Sequence, residues 1–174
     1  MKTNKLKLLT AALAITLIPN AFADTTFAIS QKGVSMYGDG LKPDEIKITE
    51  SPEGLKFAFT GEPIEDNNLK AIQIYSEIYK LAPGKYNLQF RIKGTPAGTQ
   101  IAANLQAKLA ETNAPSVKIG EFKSFKFNNE WQDAILPFEI QDKLAHGFFI
   151  LRVGKVPNGA EFTIDPTLTY VAVE

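Results

Sequence analysis

The sequence predicts an all-β fold: a two-sheet antiparallel β-sandwich of the jelly-roll kind, with a barrel as the other arrangement that satisfies the same pattern. Three observations carry this prediction. Apolar and polar residues alternate over many short runs, as in strands with one buried face. The runs are separated at near-regular intervals by turns that draw on 12 glycines and 10 prolines. No stretch has a convincing long helical period.

The N-terminus stands apart. Lys2, Lys5 and Lys7 precede an apolar run from Leu8 to Ile18, Pro19 breaks it, and Ala21-Phe22-Ala23 resembles a cleavage box. Residues 1–23 therefore read as a secretory signal peptide, with no Cys to take a lipid, and residues 24–174 as one domain. The expected location is the periplasm or the extracellular space, with no membrane insertion after cleavage. Without the three signal lysines, 16 basic residues stand against 19 acidic ones, a balance that gives no encouragement to nucleic acid as partner. The chain has no cysteine, so neither disulfides nor thiol-ligated zinc can support the fold, and stability must come from the core.

The elements follow in order. Thr26–Ile29 is a short opening strand. Gln31–Pro43 is turn-rich, with Tyr37 either a ligand contact or a lid over the core. Glu45–Thr49 and Leu55–Phe59 flank Ser51-Pro52-Glu53-Gly54 and read as a hairpin. Gly61–Asn68 is a polar loop. Ala71–Leu81 reads as a strand, with helix as the rival, a bulge near Ser76–Glu77, and Pro83-Gly84 as a closing turn. In the next run Tyr86, Leu88, Phe90 and Ile92 alternate with Asn87, Gln89, Arg91 and Lys93, and the two runs read as strands joined by a tight turn. Thr99–Leu109 keeps a period of two despite its alanines. Val117–Phe127, then Trp131–Ile140 after a turn at Asn128-Asn129-Glu130, and Gly147–Gly154 and Leu168–Val173 complete a count of nine or ten strands. Pro137 belongs at an edge or a bulge, and Asp142–His146 is a connector. The last strand is apolar on both sides, which suits a position inside its sheet.

The run from Lys80 to Gly94 (KLAPGKYNLQFRIKG), followed by Trp131…Phe138, Phe149-Ile150-Leu151-Arg152 and Phe162–Leu168, resembles the galactose-binding-like jelly roll. It is most similar to the carbohydrate-binding modules usually attached to xylanases and glucanases. The resemblance covers about two thirds of the chain after the signal. It implies binding of a poly- or oligosaccharide on a polar sheet face. Sugar hydroxyls are met by amides and guanidinium groups, and ring faces by aromatic side chains. The candidate face is Gln73, Tyr75, Gln89, Arg91, Asn104, Gln106 and Arg152, with Trp131 as either a platform or a packing residue. The same positions equally describe a solvated or protein-covered face, as in a structural or interaction domain of an envelope, matrix or secretion assembly. The resemblance also implies a structural calcium, and Asp165 matches its acidic ligand, although the usual N-terminal acidic motif is missing. No other cofactor is expected.

Catalytic patterns are absent. His146 is the only histidine and stands near no acidic cluster in the sequence. No nucleophile elbow, zinc-protease or phosphate-loop motif occurs. Glu62, Glu65, Asp66 and Glu77 could form a carboxylate pair, but read as a solvated acidic patch, so no enzyme is expected.

Overall fold

The computed structural model describes residues 24–37, 44–60, 71–110, 116–153 and 156–173. The described residues form thirteen strands: β1 (Thr25–Ala28), β2 (Val34–Tyr37), β3 (Ile46–Ser51), β4 (Gly54–Phe59), β5 (Ala71–Ser76), β6 (Gly84–Thr95), β7 (Gln100–Leu109), β8 (Val117–Lys118), β9 (Lys123–Lys126), β10 (Gln132–Ile140), β11 (Leu144–Val153), β12 (Glu161–Ile164) and β13 (Thr167–Val173). Single 3-10 turns occupy Gln31–Gly33 and Glu77–Lys80. No helix among the described residues is long and apolar enough to cross a membrane.

Two antiparallel sheets are present, which decides between sandwich and barrel. Sheet A runs β1-β13-β6-β12-β4-β3, with β10 on the other flank of β6. Sheet B runs β2-β5-β11-β7, and β8 and β9 share the far edge of β7. The β3–β4 hairpin forms as expected. β13 lies between β1 and β6, which explains its apolar residues on both sides. β12 and β13 follow one another along β6, with Asp165-Pro166 as the interruption and the Asp165 N–H donating to the Arg91 carbonyl at 3.0 Å. Pro137 lies in β10, whose outer flank meets only an isolated bridge from Gly120, so no ladder bond is lost there.

The core lies between the sheets and is built by the alternation itself. Leu55 and Phe57 from β4, Leu88 and Ile92 from β6, Ile72 and Ile74 from β5, and Phe149 and Leu151 from β11 are all fully buried. Each such side chain contributes about 1.5–3 kcal/mol of burial free energy. Phe90 of sheet A meets Phe149 of sheet B edge to face, with ring centres 5.0 Å apart. A buried hydrogen bond between the Ser76 and Tyr170 hydroxyls also ties the two sheets together.

Several expectations are corrected. β5 and β6 are not hairpin partners: they belong to opposite sheets. The Glu77–Lys80 turn stands where a bulge was expected, carries the chain across, and buries Ile78. It fits only because position 147 is glycine. A Cβ there would come within 2.0 Å of the Ile78 Cγ1 atom. His146 lies in β11, at a register irregularity, and not in a connector. The 117–127 run divides into two short strands. The polar loop at Gly61–Asn68, most of the acidic patch and the N-terminal signal lie outside the described residues.

Candidate functional site

The eight predicted ligand residues fall on two opposite faces of the sandwich. Gln89 and Arg91 lie on β6, in sheet A, and Trp131 immediately precedes β10 of the same sheet. Gln73, Tyr75, Asn104, Gln106 and Arg152 lie on β5, β7 and β11 of sheet B. One continuous site cannot hold all eight. The expectation failed because alternation gives the face of each strand but not its sheet.

The sheet A face is lined with ion pairs. Arg91 faces Asp133 at 3.8 Å, Lys93 pairs with Glu53 at 2.9 Å, and Lys56 pairs with Glu161 at 2.6 Å. The Arg91 and Lys93 cations sit 5.2 and 4.8 Å from the centre of the Trp131 ring. The indole is thus a packing surface for cations rather than an open platform. A groove of about 400 Å³ runs over this sheet, lined by Gln89, Arg91, Asp133, Ile135, Asp165 and Thr169.

Calcium takes six to eight oxygens. The Thr167 N–H donates to the Asp165 carboxylate at 3.2 Å, closing the turn between β12 and β13. No group of three or more His, Asp or Glu side chains that could hold a metal occurs among the described residues. Among the described residues Asp165 acts in the turn between β12 and β13, and no second acidic side chain joins it in a metal cluster.

The outward face of sheet B differs in kind. Strand register places Ser35, Gln73, Ile150 and Asn104 in one row across β2, β5, β11 and β7. The next row holds Tyr75, Phe148, Gln106 and Lys118. The row on the other side holds Ala71, Arg152, Ala102 and Ser124. All five sheet B candidates therefore share one surface.

Its aromatic corner centres on Tyr75, which is 40% exposed. Its ring meets Phe148 edge to face at 6.4 Å and Tyr79 at 6.2 Å. The hydrogen bond to Tyr79, and secondarily burial, raises the Tyr75 phenol above its ordinary pKa, so it is neutral at physiological pH. At the other side the Arg152 guanidinium lies 3.9 Å from the centre of the Phe122 ring. Arg152 is on β11 and Phe122 just precedes β9, so this contact spans β7.

Asn104 stands in the middle. It is fully buried, and neither its amide oxygen nor its amide nitrogen has a hydrogen-bond partner among the described residues. It alternates with the core residues Ala103 and Leu105 and so belongs to the outward side of β7. Ile150 beside it is also buried, yet it is not part of the inter-sheet core cluster. This face thus has a buried centre flanked by amides, rings and a guanidinium.

None of the six strands of sheet B contains an Asp or Glu. The carboxylate pair of glycoside hydrolysis has no place on them. The arrangement can donate and accept hydrogen bonds to hydroxyls and pack against sugar rings. The sequence reasoning omitted Phe148 and Ile150 from the face, although they alternate in register with Arg152. Tyr79 and Phe122 lie outside strands and gave no periodic signal.

No protein-family profile matches this chain, and no curated protein matches it. Solved structures do. BiXyn10A CBM1 superposes with a TM-score of 0.57 at 14% identity, covering 86% of this chain and 97% of that one. A structure described as "CBM4 structure and function" gives 0.54 at 10% identity, covering 80% and 86%. The CBM22-1–GH10 modules of a Clostridium thermocellum xylanase, complexed with xylohexaose, give 0.53 at 14% identity, covering 87% of this chain and 28% of that longer one. This chain therefore has the jelly-roll sandwich fold found in carbohydrate-binding modules.

Proposed function

We propose that this chain is an exported, non-catalytic protein that binds a poly- or oligosaccharide on the outward face of sheet B. Gln73, Gln106 and Arg152 bond sugar hydroxyls, and Tyr75 with Phe148 packs against a ring face. The observation that carries this reading is Asn104. Burying an amide with no partner costs about 1–3 kcal/mol, and folds seldom tolerate it without a use. A ligand hydroxyl that reached this amide would supply the missing bonds. The likeness of the fold to carbohydrate-binding modules supports the same reading.

The test is a glycan array and affinity electrophoresis with plant, algal and bacterial polysaccharides. Tyr75→Ala is expected to weaken binding about tenfold or more, corresponding to ~1.4 kcal/mol. Arg91→Ala, on the opposite face, is expected to leave binding unchanged. No binding across the whole array would remove the sugar reading. Loss in Arg91→Ala with none in Tyr75→Ala would move the site to sheet A. Export has its own test: protein recovered from a bacterial host should begin at Asp24, read by intact mass.

A further inference from the structure

The charge on this face narrows the class of glycan. This inference rests on the proposed sugar-binding function. The strands of sheet B carry Lys108, Lys118, Lys123, Lys126 and Arg152 and no carboxylate. The strands of sheet A carry Glu50, Asp133, Glu139 and Glu161 among their lysines. The sheet A ion pairs thus have no counterpart between strands of sheet B. The asymmetry runs against the whole chain, whose residues 24–174 are net acidic.

Not every cation of sheet B faces outward and free. Lys118 is held by Glu121 at 2.8 Å, and Lys123 reaches the Ile135 carbonyl of β10. That leaves Arg152, Lys108 and Lys126, none of which pairs with a carboxylate among the described residues. Arg152 is the central one. Register sets it between Ala71 on β5 and Ala102 on β7, two side chains too short to crowd it. Its guanidinium packs on Phe122. A guanidinium held by an aromatic ring keeps its N–H fork free, and that fork matches the two oxygens of a carboxylate or sulfate. Neutral sugars satisfy hydroxyl contacts but leave this cation without a counter-charge.

We infer that the ligand is an anionic polysaccharide, carboxylated or sulfated, and that Arg152 selects for its charge. Asn104, with its buried amide, lies one register row away on the adjacent strand. Lys108 and Lys126 lie farther along β7 and on β9, at positions that extend the positive track.

The experiment compares matched polymers by titration calorimetry with the purified protein. Polygalacturonate is set against its fully methyl-esterified form, which keeps the backbone and removes the charge. A sulfated galactan is set against the unsulfated galactan, so that the two arms separate carboxylate from sulfate. Polyglutamate serves as a non-sugar polyanion. At least one anionic glycan is expected to bind about tenfold or more tighter than its neutral match at low salt, with the margin shrinking as salt rises. Arg152→Gln should remove that preference and retain the weaker neutral binding. Arg152→Lys should retain part of it. The Lys108→Gln/Lys126→Gln pair should reduce it while leaving the Arg152–Phe122 contact in place.

Equal affinity for both members of both pairs overturns the inference and leaves the proposed function standing. Binding to no sugar, charged or neutral, overturns the proposed function as well. A preference that persists in Arg152→Gln, or equally tight binding to polyglutamate, reduces the face to an ion exchanger and also overturns it.

Discussion

A buried amide that lacks both of its hydrogen-bonding partners is a stability cost, and Asn104 carries it at the centre of the sheet B face. Asn104→Leu fills a similar volume without the polar atoms. It is expected to raise stability by about 1–3 kcal/mol and to weaken glycan binding in the same protein. Urea denaturation and titration of that one variant check both halves. A loss of stability of the size seen for a core truncation would show the amide to be satisfied. Tyr170 sets a second expectation. Burial holds its phenol well above the ordinary tyrosine range, while the hydrogen bond from Ser76 partly opposes this. An unfolded tyrosine titrates near 10. The raised folded-state value therefore gives a contribution present in full below about pH 10 and lost as pH climbs toward the folded-state value. Urea midpoints should fall above about pH 10, and Tyr170→Phe should flatten that limb while costing about 1–3 kcal/mol at neutral pH by orphaning the Ser76 hydroxyl. At this scale the sequence was informative about direction: alternation put Gln73, Tyr75, Asn104, Gln106 and Arg152 opposite apolar neighbours. It said nothing of Asn104's burial, because depth depends on side chains from other strands.

Elements were readable where their signals are local. The β3–β4 hairpin, the period of β6, the Asn128-Asn129-Glu130 turn and the apolar β13 could all be read from neighbouring residues. In that turn Asn129 takes a φ of 69° and the Asn128 side chain accepts the Glu130 N–H at 2.9 Å. The passage from β5 to β6 was misread, because a Pro-Gly corner serves a hairpin and a crossing between sheets equally well. What separates them is the seat of Ile78 against Gly147, a contact between residues far apart in sequence. Gly147→Ala tests that seat. The added methyl meets Ile78 at 2.0 Å and the Ser76 carbonyl at 3.1 Å. The variant should lose about 1–3 kcal/mol of stability by overpacking. Retention of full stability in a thermal melt would mean that the corner repacks freely. The division of the candidate site follows from the same crossing: with β5 and β6 in one sheet, Arg91 would have stood beside Tyr75.

Across the whole molecule the two outer faces have different electrostatic character. Sheet A has cross-strand ion pairs with exposed partners, and such pairs are worth about 0–1 kcal/mol each. Lys56→Ala and Lys93→Ala should therefore change stability by less than about 1 kcal/mol and leave glycan affinity untouched. Denaturation and affinity electrophoresis on the same samples check this, and a binding loss in either variant would place ligand contacts on sheet A. The sandwich itself was legible as a class, since the strand pattern and turn spacing leave few alternatives. The sorting of strands between layers was not, and it also decides that Trp131 packs beneath Arg91 and Lys93 on the far side from Tyr75.

Tyr75 stands one residue before Ser76, whose hydroxyl is tied to Tyr170 in the other sheet, and Tyr79 rides on the turn seated by Ile78. The aromatic corner is therefore fixed to the core before any ligand arrives. Under the proposed function, little ordering entropy would be surrendered when a sugar ring lands on it. Association should follow a single exponential that is linear in ligand concentration, and variants of this face should differ chiefly in how long the complex lasts.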